Sequence, residues 1–312
     1  MGRFGQIWKE YKSTLKSMDT EETIDLAFYR PVGYCWACIA EKLGVTPNAI
    51  TIASIFLGVG AGVCFGFPDW NVNLCGVLLL VWANSFDSAD GQLARMTGNY
   101  SALGRILDGL SGNIWFVAIY IALCVRACMG SPFYSDHYWA IWVVAALSGL
   151  CHAKQAAMAD YYRQFHLYFV KGSSELTTVS QIDQVYVGLT WRHDFLKKAI
   201  MWFYRNYTSN QEVMTPSMQK LRSLMGLTFG DNVPVSFRKD IREDCRPLMK
   251  YTNFLTFNWR SFALFASLLV VRRPELYFYL ELTLFNAVLI YMMLRHERIC
   301  RKFTAKINDG CY

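Results

Sequence analysis

Three carboxylates and a glycine lie within segments of this chain that are apolar enough to span a bilayer. Asp87, Asp90 and Gly91 fall near the end of one such segment, and Asp108 opens the next. An ionisable group at membrane depth is costly unless it is paired, hydrated or bound to a metal, so it marks a functional site by default. The pattern therefore predicts membrane helices that surround a polar site.

The spacing of these residues indicates what the polar site binds. Asp87 and Asp90 are three residues apart, so on a helix they share a face with Gly91. Carboxylate oxygens that converge from two helices suit Mg²⁺ or Mn²⁺, which also bind pyrophosphate oxygens. Gly91 leaves room for a ligand to approach, and the Arg95 guanidinium can fork onto a phosphate or clamp a carboxylate. We therefore predict that Asp87, Asp90 and Asp108 hold the metal.

The same spacing resembles the signature of the CDP-alcohol phosphotransferase family, D-x2-D-G-x2-A-R-x8-G-x3-D-x3-D. The positions that match are Asp87, Asp90, Gly91, Ala94, Arg95, Gly104 and Asp108. At the last position Gly112 stands where the family has an aspartate. Upstream, the run from Pro47 to Thr51 resembles the P-N-x-x-T that opens the family's first membrane helix.

The resemblance implies a reaction and roles for particular residues. A CDP-linked donor, either CDP-diacylglycerol or a CDP-alcohol, binds through its pyrophosphate to Mg²⁺ or Mn²⁺ on the three aspartates. The hydroxyl of an alcohol acceptor attacks the β-phosphorus, and CMP leaves. Arg95 braces phosphate or the aspartates and is counted as catalytic. The residues assigned to the CDP moiety are Asn48, Thr51, Gly91, Ala94, Arg95 and Gly104.

Gly112 removes the general base that the family's last aspartate supplies. General-base assistance is typically worth about 10²–10⁴-fold, so another group replaces it, the acceptor needs little activation, or activity is lost. We predict His152 as the substitute base, because it shares an ionisable-rich segment with Lys154 and Asp160. A buried structural histidine is the alternative. Retained activity is favoured, since three intramembrane aspartates are costly to keep without it.

The acceptor is less well determined by the sequence. Lys154, Arg163 and Arg260 are predicted to form a basic pocket for a phosphorylated polyol, such as an inositol or glycerol phosphate. Snorkelling to headgroups explains Arg163 and Arg260 almost as well, and a lipid alcohol is a further alternative acceptor. From a different class, a catalytically silent CDP-lipid- or nucleotide-binding membrane protein is the main alternative. A transporter is less favoured, because the charges cluster at one end of the spans.

Composition predicts an all-α, polytopic membrane protein with about six transmembrane helices. Hydrophobic residues make up 54% of the 312 positions. The mean hydropathy is nevertheless only +0.18, so substantial polar segments must accompany the spans. The predicted spans are residues 48–67, 72–95, 104–129, 138–161, 253–271 and 276–294.

The polar segments complete the predicted organisation. Residues 1–47 form an N-terminal segment that contains an amphipathic surface helix, where Phe4, Ile7, Trp8 and Tyr11 alternate with lysines. Residues 48–162 carry four spans and the motif, 163–250 form a cytoplasmic insert, and 251–312 carry two spans and a tail.

Charge predicts the orientation. Most of the 31 Lys and Arg lie in the N-terminal arm, the turn after Arg95, segment 163–250 and the C-terminal tail. The positive-inside rule then places both termini and the acidic motif in the cytoplasm, in the inner or plasma membrane if the protein is bacterial. Arg272 and Arg273, between the last two spans, are exceptions. The net charge of +7 indicates attraction to anionic lipids and substrates, and no nucleic-acid partner is expected.

Small residues predict how the first span packs. Gly58, Gly62 and Gly66 form a small-xxx-small stripe, which favours close helix packing within the monomer; a homodimer contact is the alternative. The ten cysteines do not form a disulfide framework, because half of them lie inside the predicted spans.

Overall fold

Helices account for all the regular secondary structure in the part of the chain that the computed structural model describes. That part comprises residues 10–11, 13–14, 21–100, 102–171, 177–230 and 232–312, with backbone alone at 102–103, 105–106 and 171. The predicted all-α fold class is therefore confirmed. Most of the predicted N-terminal surface helix, including Phe4, Ile7 and Trp8, lies outside the described residues.

The helices follow one another with short connections. A π-helical turn at Asp25–Tyr29 leads into the first helix. The α-helices are α1 Arg30–Lys42, α2 Pro47–Phe65, α3 Trp70–Thr97, α4 Ala102–Gly130, α5 Pro132–Asp136, α6 Tyr138–Lys171, α7 Val179–Gly188, α8 Phe195–Val213, α9 Pro216–Phe229, α10 Val235–Cys245, α11 Met249–Phe254, α12 Phe257–Phe265, α13 Glu275–Leu280 and α14 Asn286–Asn308. π-Helical turns extend α12 through Ala266–Val270 and join α13 to α14 through Glu281–Phe285.

Among the residues that the structure describes, four stretches are long and apolar enough to cross a membrane, so the chain is a multi-pass membrane protein. They are Pro47–Phe65, Trp70–Thr97, Leu107–Gly130 and Glu275–Asn308. The predicted span 138–161 is helical but is not among the four, since its second half carries polar residues such as Lys154 and Asp160. The predicted span 253–271 is interrupted before Phe257, which leaves a shorter apolar helix, Phe257–Val270. A full crossing takes about 20 residues.

The described residues divide into two compact units. The first contains Met1–Ser148 and Ser261–Leu280, and within it the described parts of α1 to α4 surround the acidic motif. α2 starts where the sequence predicts, because Pro47 occupies its first turn and the Thr46 side chain accepts a hydrogen bond from the Ala49 amide.

Glycines bring the helices of this first unit close together. A Cβ at Gly58 would lie 2.1 Å from Cδ1 of Trp115 on α4, and one at Gly62 would lie 3.1 Å from the Ala118 backbone. On α1, a Cβ at Gly33 would lie 2.6 Å from Oε1 of Gln92 on α3. The glycine stripe of α2 therefore packs inside the monomer, as predicted.

The second unit contains Gly149–Arg260 and Glu281–Tyr312. Segment 163–250, predicted as an insert, is largely helical here, from the end of α6 through α7, α8, α9 and α10. Phe237 of α10 packs against Phe303 of α14 and against Tyr312. Tyr162 of α6 stacks on His296 of α14, with ring centroids 3.9 Å apart.

Gly58→Ala tests whether close packing of α2 on α4 supports the first unit. The added methyl would overlap the Trp115 ring, and overpacking of this kind costs about 1–3 kcal/mol. We expect a lower unfolding midpoint for the purified protein in detergent. Gly60→Ala is the matched control, because its Cβ would meet Cδ1 of Leu79 at an ordinary 3.7 Å. Equal midpoints for the two variants would contradict the packing described.

Candidate metal centre

Three carboxylates from two neighbouring helices meet in the first unit. Asp87 and Asp90 lie on α3 and Asp108 lies on α4, and each offers an oxygen within 4.8 Å of those of the other two. Asp90 is buried, Asp87 is half-buried and Asp108 is exposed. The cluster thus extends from the helix interface to an accessible surface, where a ligand can reach it.

Two hydroxyl groups, one on α2 and one on α4, orient the carboxylates. The Thr51 hydroxyl, near the start of α2, donates a hydrogen bond to Oδ2 of Asp90. The Ser111 hydroxyl lies 2.7 Å from Oδ1 of Asp87 and donates to it. Thr51 was predicted to contact the CDP moiety of the donor, and Ser111 was not predicted. The sequence signal for Ser111 was its position three residues after Asp108, on the same face of α4.

The donor set fits a hard divalent cation. Like charges as close as these repel one another, and a cation bound between them removes the repulsion. Carboxylate oxygens are the ligands that Mg²⁺ and Mn²⁺ prefer, and Mg²⁺ usually leaves several coordination positions for water or substrate phosphate. The exposed side of the Asp108 carboxylate leaves such positions accessible.

A cavity of about 200 Å³ adjoins the carboxylates. All six residues that the sequence assigned to the CDP moiety line it: Asn48, Thr51, Gly91, Ala94, Arg95 and Gly104. Asp90 and Asp108 also contribute to its wall, together with Pro47, Asn99 and Tyr100. Asn99 and Tyr100 were not predicted, because the family signature leaves the residues between Arg95 and Gly104 unspecified. The structure therefore brings the two sequence motifs to one place.

The Nε–H group holds the Arg95 side chain at the wall of this cavity. Its Nε donates a hydrogen bond to the Thr14 carbonyl at 2.6 Å, whereas one of its terminal nitrogens is buried with no hydrogen-bond partner among the described residues. A Cβ at Gly91 would lie 3.4 Å from the guanidinium, an ordinary contact distance, so Gly91 and Arg95 are neighbours at the cavity wall. An unpaired guanidinium N–H beside a cavity is suited to an anionic ligand such as phosphate.

A second cavity, of about 160 Å³, adjoins the first. It shares Gly91, Arg95 and Asp108 with the first cavity and adds six side chains from the region of α1 and from α3. These are Asp25, Tyr29, Arg30, Asn84, Asp87 and Ser88. Burial raises the pKa of the Tyr29 hydroxyl above its ordinary value, so it stays protonated at neutral pH and able to donate. The second cavity is thus lined by polar groups.

The residues predicted for the base and the acceptor belong to the second unit. Nδ1 of His152 lies 3.2 Å from the Glu281 carboxylate. Arg260 is buried, pairs with the same carboxylate and donates a hydrogen bond to Oε1 of Gln155 at 2.8 Å. Lys154 is exposed, and Arg163 is half-buried. These four assignments stay predictions.

Apolar helices that carry a three-carboxylate centre beside two cavities define a multi-pass membrane protein equipped for phosphate chemistry. Residues 44–204, just over half of the chain, match the family model described as CDP-alcohol phosphatidyltransferase, and the chain belongs to this family. The family transfers a substituted phosphate from a CDP-alcohol to an alcohol in phospholipid synthesis. No curated protein and no solved structure matches the chain.

Thr51→Val tests whether the hydroxyl on α2 orients the centre. The isosteric change removes the hydrogen bond to Asp90 and keeps the shape of the side chain. Loss of a partner that orients a metal ligand typically weakens metal affinity about 10–100-fold, so we expect this loss in a Mn²⁺ titration. Thr51→Ser, which keeps the hydroxyl, should remain close to the original affinity. If Val and Ser at this position bind Mn²⁺ equally well, the orienting role is wrong.

Proposed function

We propose that the protein moves a substituted phosphate group from a CDP-linked donor to the hydroxyl of an alcohol acceptor and releases CMP. The observation that carries this proposal is the meeting of three carboxylate oxygens, within 4.8 Å of one another, beside a cavity lined by both sequence motifs. The donor is CDP-diacylglycerol or a CDP-alcohol, and the acceptor is inositol, a polyol phosphate or a lipid alcohol.

In this proposal Asp87, Asp90 and Asp108 hold Mg²⁺ or Mn²⁺, which when bound neutralises charge on the donor's diphosphate. The adjoining cavity is smaller than the roughly 300–1,000 Å³ typical of pockets for drug-sized ligands, so it takes only part of the donor. Arg95 directs its unpaired N–H to a phosphate oxygen, and Gly91 leaves the approach clear. Asn48, Ala94 and Gly104 form the wall around the nucleotide.

The chain's own residues then fix the path of the reaction. Gly91, Arg95 and Asp108 line both cavities. An acceptor oxygen in the polar second cavity would reach the β-phosphorus past these three residues. A bond forms between that oxygen and phosphorus, the bond to the CMP oxygen breaks, and the acceptor's proton passes to a base. Fixed geometry of this kind supplies a large part of the rate.

We retain His152 as the base, with Glu281 holding its imidazole by Nδ1. Arg260 already pairs with Glu281, so in this proposal it orients the carboxylate that holds His152, while Lys154 and Arg163 remain available for a phosphorylated acceptor. His152→Ala should lower the rate of CMP release by about 10²–10⁴-fold and leave metal affinity unchanged. A parallel loss of metal affinity would instead indicate a structural histidine.

A catalytically silent CDP-lipid-binding protein is the second candidate, and Gly112 favours it. CMP release separates the two functions. Purified full-length protein is given Mn²⁺ or Mg²⁺ and each of a panel of CDP-linked donors, and CMP is followed as acceptors are added. We expect release that requires one particular acceptor. Metal-dependent donor binding without any release would establish the silent protein.

Gly112→Asp examines the position where the chain departs from its family. Gly112 lies one helical turn after Asp108, and a Cβ there would meet nothing within 4 Å, so the new carboxylate fits. We expect metal affinity to rise roughly tenfold, or about 1.4 kcal/mol. Gly109→Asp is the matched control, because its Cβ is equally unobstructed but points about 100° away from Asp108. Equal metal affinities in the two variants would contradict the assignment of position 112.

We also propose that both termini and the metal centre face the cytoplasm, on the strength of the charge distribution. In a background without reactive native cysteines, a cysteine replacing Ser217 should then be labelled only from the cytoplasmic side. A cysteine replacing Ser131 should be labelled only from the opposite side. Labelling of both from one side would overturn this orientation.

A further inference from the structure

A cavity of about 560 Å³ lies at the end of the first unit's helices remote from the metal centre. Pro68, just after α2, lines it, as do Gly130 at the end of α4 and the turn that contains Arg272 and Arg273. The metal centre contacts the start of α2 at Thr51, and α2 is 19 residues long, or about 28 Å at 1.5 Å per residue. Because α2 is a candidate membrane span, the cavity and the centre lie at opposite ends of a crossing.

The cavity carries excess positive charge. Three guanidinium groups, from Arg126, Arg272 and Arg273, and one carboxylate, from Glu275, line it, which leaves two positive charges. Arg273 and Glu275 lie 3.8 Å apart, and the Arg273 side chain is 74% exposed, so solvent screens this pair.

Hydrogen bonds hold the Arg126 guanidinium in place, but their acceptors do not neutralise its positive charge. It is buried within α4, and one terminal nitrogen donates to the Phe65 carbonyl at 3.1 Å and to Oδ1 of Asn73 at 2.8 Å. Both acceptors are neutral. A buried arginine in a membrane span is costly, so a guanidinium held in this way at the wall of a cavity indicates an anionic ligand.

The backbone at Arg272 gives an independent indication. With φ of 61°, it is the one non-glycine residue in the left-handed region among the residues that the structure describes. An L side chain is disfavoured there, and such strain is retained mainly at functional sites. Arg272 and Arg273 are also the residues that depart from the positive-inside pattern. The left-handed residue ends the helix that precedes it, a position usually taken by glycine. A ligand for both side chains accounts for arginine at this position and for the departure.

We propose that this cavity binds the phosphate headgroup of an anionic phospholipid from the leaflet opposite the metal centre. Guanidinium groups match phosphate oxygens with paired hydrogen bonds. The cavity's volume lies within the roughly 300–1,000 Å³ range of ligand pockets. Exposed apolar side chains stand at its wall and beside it in the sequence, where acyl chains would lie: Phe67, Met129, Phe133 and Val271. These apolar neighbours favour a lipid over free phosphate.

Native mass spectrometry of the full-length protein in detergent tests the proposal. Phosphatidylglycerol, phosphatidylcholine and inorganic phosphate are titrated separately. Arg272→Gln combined with Arg273→Gln should weaken phosphatidylglycerol binding roughly thirtyfold, since each arginine near an anionic lipid contributes about fivefold. Phosphatidylcholine binding should weaken less, because its choline cation balances the charge of the phosphate. The matched control, Lys239→Gln combined with Arg246→Gln, removes two exposed positive charges from the region of α10 and should change phosphatidylglycerol binding less than about twofold.

Arg272→Gly separates binding from folding. Glycine adopts the left-handed conformation freely, so the unfolding midpoint should be equal or higher while phosphatidylglycerol binding weakens. Equal phosphatidylglycerol affinity in the double-glutamine variant and its control would overturn the proposal. So would phosphate binding that depends on Arg272 and Arg273 in the absence of lipid binding, because the ligand would then be the free anion.

Discussion

Mutual repulsion among Asp87, Asp90 and Asp108 is the constraint around which the first unit is organised. Three carboxylates within 4.8 Å, set against apolar helices, are unfavourable without a compensating charge. Thr51 and Ser111 supply neutral hydroxyl donors, which orient the carboxylates but do not neutralise them. Arg95 donates its Nε–H to the Thr14 carbonyl, and one of its terminal nitrogens has no hydrogen-bond partner among the described residues. A cation between the aspartates and a diphosphate beside Arg95 would complete the balance of charge.

The geometry of this centre depends on contacts far from it. Gly58 and Gly62 let α2 approach α4, and Thr51 at the start of the same α2 reaches Asp90 on α3. Gly33 does the same for α1 and α3, because Gln92 fills the space where its side chain would stand. A shift of one helix displaces the helices packed against it, because helix interfaces have little free volume to absorb the shift. Small residues along the helices therefore help to set the geometry of the site.

The spacing of residues along a helix explains which parts of the site could be predicted from the sequence. The three-residue spacing places Asp87 and Asp90 on one face of α3, whatever the rest of the chain does. Asp108 lies on α4, and its place beside them was predicted from the resemblance to the family signature. Contacts between helices were harder to predict. The Ser111 hydroxyl of α4 donates to Asp87 on α3. Thr51 contacts the Asp90 carboxylate and does not lie only at the predicted nucleotide position. The predicted fifth span failed to form one helix, because hydropathy does not register a break before Phe257. The pairing of Arg260 with Glu281 likewise joins residues that only folding brings together.

We propose above all that the three aspartates hold a divalent ion, which in turn binds the donor's diphosphate. Pulsed electron paramagnetic resonance of the Mn²⁺-loaded protein measures this directly, because phosphorus bound through oxygen to Mn²⁺ gives a resolved ³¹P hyperfine coupling. We expect this coupling when a CDP-linked donor is added to the unaltered protein, and its loss in Asp87→Asn, Asp90→Asn and Asp108→Asn. Asp136→Asn, which alters an exposed carboxylate outside the cluster, should retain it. A ³¹P coupling that persists in all three cluster variants would contradict the account.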